Sequence, residues 1–338
     1  MSRSIQILLS VLISGAALWF SLHDVQLGSF FSDLARARIV WLVPMIAFAG
    51  ICLWFRALRW RVLLETLGPL GDAPVFYATC IGFMGNMVLP LRAGEAIKPI
   101  VVARGGQIGV AAALATVALE RLCDMIMLAL FAVITLFLVP GATALRESTP
   151  WVLALVAVAL TLVGLIFRFA GAIEERLERW TEWLPGMLKR VVREGGRGFL
   201  RGVRGLGQPR TLFTTLLLSA LVWLCAVGGF AAGALALEIN APLVALGFAT
   251  TVIVAVAVSV PSAPGFIGVF WAGSEIALDL FGIPKSMGFT YGVLNWLVQM
   301  VTICGLGMWS LSRLQLSLSD VRGIADPASP SSPSSDAA

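Results

Sequence analysis

The chain has 338 residues, of which 59% are hydrophobic and only 13% charged, with 24 Lys and Arg against 19 Asp and Glu and a mean hydropathy of +0.92. That balance excludes a soluble globular domain and defines a polytopic helical membrane protein. The single histidine, His23, leaves no material for a His-built metal site or a His-dependent triad, and no G-x-x-x-x-G-K-S/T phosphate loop is present, so neither metal nor cofactor is expected.

The first apolar run, residues 5–22, follows Arg3 and ends at Trp19-Phe20, where a cleavage site would need small residues. It therefore reads as an uncleaved first span. Apolar stretches of spanning length follow at 41–63, 109–139, 151–169, 211–237 and 287–312. Two further apolar regions are interrupted. Residues 74–103 contain Gly82, Gly85, Pro90, Gly94 and Pro99, and residues 242–282 contain Pro261, Pro264, Gly265 and Gly268. Each reads as two short helices joined by an irregular turn, either re-entrant or spanning. Broken backbone at membrane depth is tolerated only where protein covers it or water reaches it. Trp19, Trp41, Trp151, Trp180, Trp183 and Trp309 fall near the ends of the spans, as interfacial anchors do. The five cysteines (Cys52, Cys80, Cys123, Cys225, Cys304) lie in apolar segments without C-x-x-C spacing and read as buried free thiols.

Residues 172–208 alternate apolar and basic positions at helical spacing. They predict an amphipathic helix pair, broken at Gly195-Gly196, lying on the inner leaflet as a connector. The segment 326–338 is rich in Pro, Ser and Ala and is expected to be disordered, leaving 1–315 as one transmembrane domain. With the N-terminus inside, nineteen Lys and Arg fall on the inner side, four on the outer side, and Arg121 within a span. That asymmetry places both termini in the cytoplasm. The basic residues are this topological signal with acids interleaved, so nucleic acid is not an expected partner.

The chemistry lies in charges at membrane depth, each of which costs at least ~2.5 kcal/mol. Glu120 and Asp124 are four apart and share a helix face, while Arg121 points about 100° away. Upstream, Asn86, Arg92 and Glu95 sit around the Pro90 break. One reading is a ligand site in which Arg92 and Arg121 grip a phosphate and the carboxylates orient them or exchange a proton. The other is a buried ion network that fixes helix register. Pro264 and Gly265 belong to the second break, whose free backbone N–H groups could form an anion nest; Glu275, Asp279, Asn295 and Gln299 could line the outer half of a pathway. The Arg56, Arg59 and Arg61 group reads as an inner-side anchor that could also collect anionic lipid. Gly229 and Gly233 read as a packing seam. The paired broken regions make a candidate inverted repeat, the arrangement in which transporters place their site at the repeat interface.

Taken in order, Arg56-Ala-Leu-Arg59-Trp60-Arg61, Gly82-Phe-Met-Gly-Asn86, Leu89-Pro90-Leu-Arg92-Ala-Gly94-Glu95, Glu120-Arg121-Leu-Cys-Asp124 and Pro264-Gly265-Phe-Ile-Gly268 resemble the flippase-like family related to the transmembrane domain of lysylphosphatidylglycerol synthase. The resemblance covers about residues 40–312. It implies a bacterial inner-membrane protein that moves a polar phospholipid or polyprenyl-type lipid between leaflets without an ATPase of its own. The soluble domain that charges lipid with an amino acid in full-length synthases has no counterpart in these 338 residues, so aminoacyl-lipid synthesis is not expected. A membrane-embedded enzyme acting on a lipid phosphate, and a non-transporting partner of a lipid-modifying enzyme, remain the alternatives.

Overall fold

The computed structural model describes residues 3–23, 27–89, 92–106, 108–139, 176–177, 179–260 and 262–317, together with residues 150, 161 and 168. Among these, all regular structure is helical. In chain order the helices are α1 (Arg3–Leu22), α2 (Leu27–Arg36), α3 (Leu42–Leu64), α4 (Asp72–Val88), α5 (Gly94–Ala103), α6 (Val110–Leu138), α7 (Gly186–Leu206), α8 (Pro209–Ala236), α9 (Leu243–Ser259), α10 (Val269–Asp279) and α11 (Lys285–Arg313). A one-turn 3-10 helix at Ile39–Trp41 precedes α3, and an irregular turn at Pro264–Phe266, left-handed at Gly265 and Phe266, precedes α10. The expected span at 151–169 and the tail at 326–338 lie outside the described residues.

Among the described residues, four helical segments are long and apolar enough to cross a bilayer: Ile39–Leu64, Val110–Leu138, Pro209–Ala236 and Lys285–Arg313. Their ends follow local chemistry. Pro209 opens α8, where its fixed φ suits a first turn and its missing N–H costs nothing. Gly109 in extended backbone precedes α6. The 10-residue α5 and 11-residue α10 are only about 15 Å and 16 Å long, too short for a ~30 Å hydrocarbon core. Each broken region is thus a 17-residue helix followed by a short one. α4 and α5 form an antiparallel hairpin, since Gly85 abuts Gly94 while Gly82, nearer the start of α4, abuts Lys98. The seam is tight: a Cβ on Gly94 would lie 1.8 Å from the Gly82 carbonyl oxygen.

The order long helix, 17-residue helix, short helix, 29-residue helix occurs twice, as α3–α6 and as α8–α11. The packing repeats with it. α3 lies along α8; α4 packs on α11 as α9 packs on α6; and each short helix packs on its own hairpin partner and on the 29-residue helix that follows. One apolar core gathers around Trp60, Ile81 and Ile97, and another around Phe230, Leu246 and Tyr291.

Two features differ from the sequence reading. Residues 27–36 form a short helix, α2, that the hydropathy pattern did not show. And α7 runs unbroken through Gly195-Gly196, while the chain turns instead at 181–185, before Pro185 at its N-cap. The glycines serve close approach rather than a break. Cβ atoms on Gly198 and Gly202 would fall 2.6 Å from Ala112 Cα and 2.4 Å from Leu119 Cδ1 of α6. The C-terminal half of α7, with Leu200, Val203 and Leu206 buried, is docked on the bundle. At its other end Met187, and Trp183 in the turn before it, are exposed at 85% and 80%.

Candidate functional site

Seven charged side chains of α3, α5, α6 and the turn before α5 form one alternating ladder. Lys98 Nζ on α5 lies 2.6 Å from Glu120 Oε2 on α6, and the other oxygen of Glu120 is 3.6 Å from Arg59 Nη2 on α3. Arg59 Nη1 donates to Asp124 Oδ1 at 2.7 Å, and Asp124 Oδ2 is 3.1 Å from Arg121 Nη2. Arg121 Nη1 reaches Glu95 Oε1 at 3.7 Å, and Glu95 stands 4.0 Å from Arg92 Nη1. The spacing of Glu120 and Asp124 along α6 is what lets both face one arginine.

The two ends of the ladder differ in wetness. At the deep end, the Arg59, Glu120 and Lys98 side chains are 0%, 2% and 6% exposed. They are held by further contacts. Arg59 Nη1 donates to Ser219 Oγ of α8 at 3.2 Å, and Lys98 Nζ lies 3.9 Å from the centroid of the Trp60 ring. Trp60 Nε1 in turn donates to Thr116 Oγ1 at 2.9 Å. At the open end, Arg121, Glu95 and Arg92 are 41%, 31% and 32% exposed. A dry, fully paired ion cluster specifies how helices fit together; a half-wet one can exchange partners with a ligand. Arg59 Nε and Arg121 Nε are buried with no acceptor among the described residues.

The open end faces a cavity of about 280 Å³ between the two repeats. Its charged lining is Arg56, Arg92, Lys98, Arg121, Glu95 and Glu120, an excess of two positive charges. Much of the rest of its wall is apolar, with Phe48, Phe83, Val222, Phe230, Phe266 and Phe270, and a second polar group of Thr251, Asn295 and Gln299. The Arg56 guanidinium lies 5.0 Å from the Phe83 ring centroid.

The two irregular turns meet at this cavity. Arg92 Nη2 donates to the carbonyl of Val258, at the end of α9, and its guanidinium lies 5.5 Å from the centroid of Phe266. Trp296 Nε1 donates to the Gly265 carbonyl at 2.6 Å, which pins the second turn to α11.

Among the sequence candidates, Asn86, Arg92, Glu95, Glu120 and Arg121 line the cavity, and Asn295 and Gln299 line it with them. Asp124 stands behind them in the ladder. Pro264 and Gly265 are not in the wall but carry Phe266, which is. Glu275 lies apart, on α10 against Gly288 of α11. Sequence reasoning passed over Arg56, Arg59 and Lys98. Arg61 does point away from the bundle to Glu65 and Asp72, but Arg59 is not an anchor: it is fully buried and paired with Asp124 and Glu120 of α6. Helical phase along α3 gave no signal for it, because at about 100° per residue Arg59 shares a face with buried Leu63 but not with Leu53, Ala57, Trp60 or Leu64. Among the described residues, no group of three His, Cys, Asp or Glu side chains is placed to hold a metal ion.

Fold and site together define a multi-pass helical membrane protein with a basic, amphipathic cavity at the junction of two structural repeats. The chain belongs to the lysylphosphatidylglycerol synthase TM region family, whose model matches residues 7–307. Neither the curated proteins nor the solved structures yield a match.

Proposed function

We propose that this protein moves an anionic, phosphate-bearing lipid between the leaflets of a bacterial inner membrane, with both termini cytoplasmic and no ATPase of its own. The observation that carries this reading is the cavity, whose charged lining has two more positive than negative groups against a largely apolar wall. An excess of cation at membrane depth is costly unless an anion answers it. Phosphate does so, and the planar forks of Arg92 and Arg121 suit its geometry. Acyl or prenyl chains would stay in lipid while the headgroup occupies the cavity. A lysyl-bearing headgroup carries a net positive charge and fits this lining less well than phosphatidylglycerol or a polyprenyl phosphate.

The test is reconstitution in liposomes with fluorescently tagged phosphatidylglycerol, using a membrane-impermeant quencher to count probes in the outer leaflet. Protein-dependent exchange, faster for anionic than for cationic lipids, is the expected result. Chemical conversion of the probe would replace transport by catalysis. Neither exchange nor conversion would leave the role of partner to a lipid-modifying enzyme.

A further inference from the structure

The cavity ladder leaves one intramembrane acid unused. Glu275 sits on α10, is 4% exposed, and neither of its oxygens has a hydrogen-bond partner among the described residues. Ser21 of α1, itself fully buried, faces the carboxyl without completing a hydrogen bond to it. An ionised carboxylate removed from water and left unpaired is among the least favourable arrangements a protein can hold, and such a group neutralises instead.

Of the groups around it, Lys285 acts on the carboxyl only through its charge, and neither carboxyl oxygen accepts a hydrogen bond from any of them. α9, which packs on α10, has no titratable residue. α1 brings Ser21, with His23 just past its end and Arg3 at its far end. α11 brings Gly288 against the Glu275 backbone, Tyr291, whose hydroxyl donates to the Phe230 carbonyl at 2.9 Å, and Lys285, whose ammonium lies 4.5 Å from the Phe20 ring centroid. On α10 itself the other acid is Asp279, one turn on.

The helix carrying Glu275 also reaches the cavity. It is only 11 residues long and is bounded by glycines in left-handed backbone, Gly268 (φ 82°) and Gly282 (φ 68°). Phe270, about 7.5 Å earlier along the same helix, lines the cavity, and so does Phe266 in the turn before it.

We propose that Glu275 is a proton-binding site, neutral in the packed arrangement of α1, α10 and α11 and ionised when α10 separates from α1, so that proton uptake and release shift the wall of the lipid cavity. The coupling half of this inference rests on the transport reading above; the proton site does not.

Infrared difference spectroscopy of the wild-type protein in lipid nanodiscs, stepped in pH, reads the site directly. A protonated-carboxyl band at neutral pH that is absent from Glu275→Gln is expected, with Glu275→Asp, which shifts the band, making the same assignment if the Gln variant does not assemble. The Gln side chain mimics the neutral acid, so this variant should melt with the wild type. In liposomes, an imposed pH gradient should accelerate lipid exchange by the wild type severalfold and leave the Gln or Asp variant's response flat or reduced. A spectrum unchanged by substitution at Glu275 overturns the proton site. A gradient response equal in wild type and variant overturns the coupling. Absence of exchange by the wild type sinks the transport reading and the coupling with it, and the infrared result still decides whether Glu275 binds a proton.

Discussion

The guanidinium of Arg92 lies over the ring of Phe266, 5.5 Å from its centroid, and both residues hold left-handed backbone, φ 53° and 58°. Non-glycine residues in that region are strained by about 1–3 kcal/mol each and persist only where their surroundings hold them. Each hairpin turn contributes one such residue, and the two hold each other at the mouth of the cavity. Arg92 also donates to the Val258 carbonyl, so its planar head bridges the two repeats while one edge still faces the cavity.

Arg92→Lys keeps the charge but cannot bond Val258, cover Phe266 and face a phosphate at once. Lipid exchange is expected to fall at least about tenfold, with little change in melting temperature because the side chain is half-buried at the rim. Near-normal exchange by this variant would assign Arg92 to balancing Glu95 alone.

Glu120 and Glu95 are both carboxylates on the ladder, but their substitutions should behave differently. Each Glu120 oxygen is engaged by a buried cation, so Glu120→Gln strands Lys98 in a dry site and leaves Arg59 with Asp124 alone. Breaking a buried pair typically costs about 3–5 kcal/mol. Low yield and a clear drop in melting temperature are expected. Glu95→Gln acts at the wet rim, where the fold should survive and exchange of anionic lipid should change. The comparison needs only melting curves and liposome exchange side by side; equal melting temperatures for the two variants would contradict the division into a dry and a working end.

Much of this was readable from the sequence because lipid imposes simple rules. The four long helices fall within two residues of the apolar runs, and the two breaks fall where Gly and Pro interrupt them. Glu120, Arg121 and Asp124 stood out because they are charged in an apolar context. Arg59 did not, because it sits with Arg56 and Arg61 at the end of a span, where the same residue type serves as an anchor. Only packing separates the roles: Arg59 is fully buried and Arg61 is paired with surface acids. Lys98 was likewise counted as an inner-side charge. The α7 glycines were misread because glycine marks both helix breaks and close helix contacts, and the partner surface on α6 is invisible in a local window.

The charge asymmetry behind the proposed topology remains after these reassignments. Removing Arg56, Arg59, Arg92 and Lys98 from the inner count leaves fifteen basic residues inside against four outside. A single cysteine at position 190 on α7, in a background without the five native cysteines, should react with a membrane-impermeant maleimide only after the membrane is opened from the cytoplasmic side. Labelling of intact cells from outside would invert the assignment.

Gly94 offers the sharpest test of the α4–α5 hairpin. A methyl group there would lie 1.8 Å from the Gly82 carbonyl oxygen and 2.6 Å from Asn86 Oδ1. The Asn86 amide could turn aside, but the Gly82 carbonyl and the Asn86 backbone nitrogen, 2.7 Å away, are fixed in α4, so α5 must move away from α4. Overpacking of this kind costs about 1–3 kcal/mol or more. The displacement would carry Glu95 and Lys98 with it, at opposite ends of the ladder. Gly94→Ala should therefore lower the melting temperature and reduce exchange even for protein that folds. Gly50→Ala, in the middle of α3 with nothing within 4 Å of the added carbon, is the matched control. It should be neutral or stabilising by up to about 1 kcal/mol, because alanine loses less backbone freedom in a helix. If the two alanine variants melt and transport alike, the hairpin is looser than its glycine seam requires, and the cavity is not held in shape from this side.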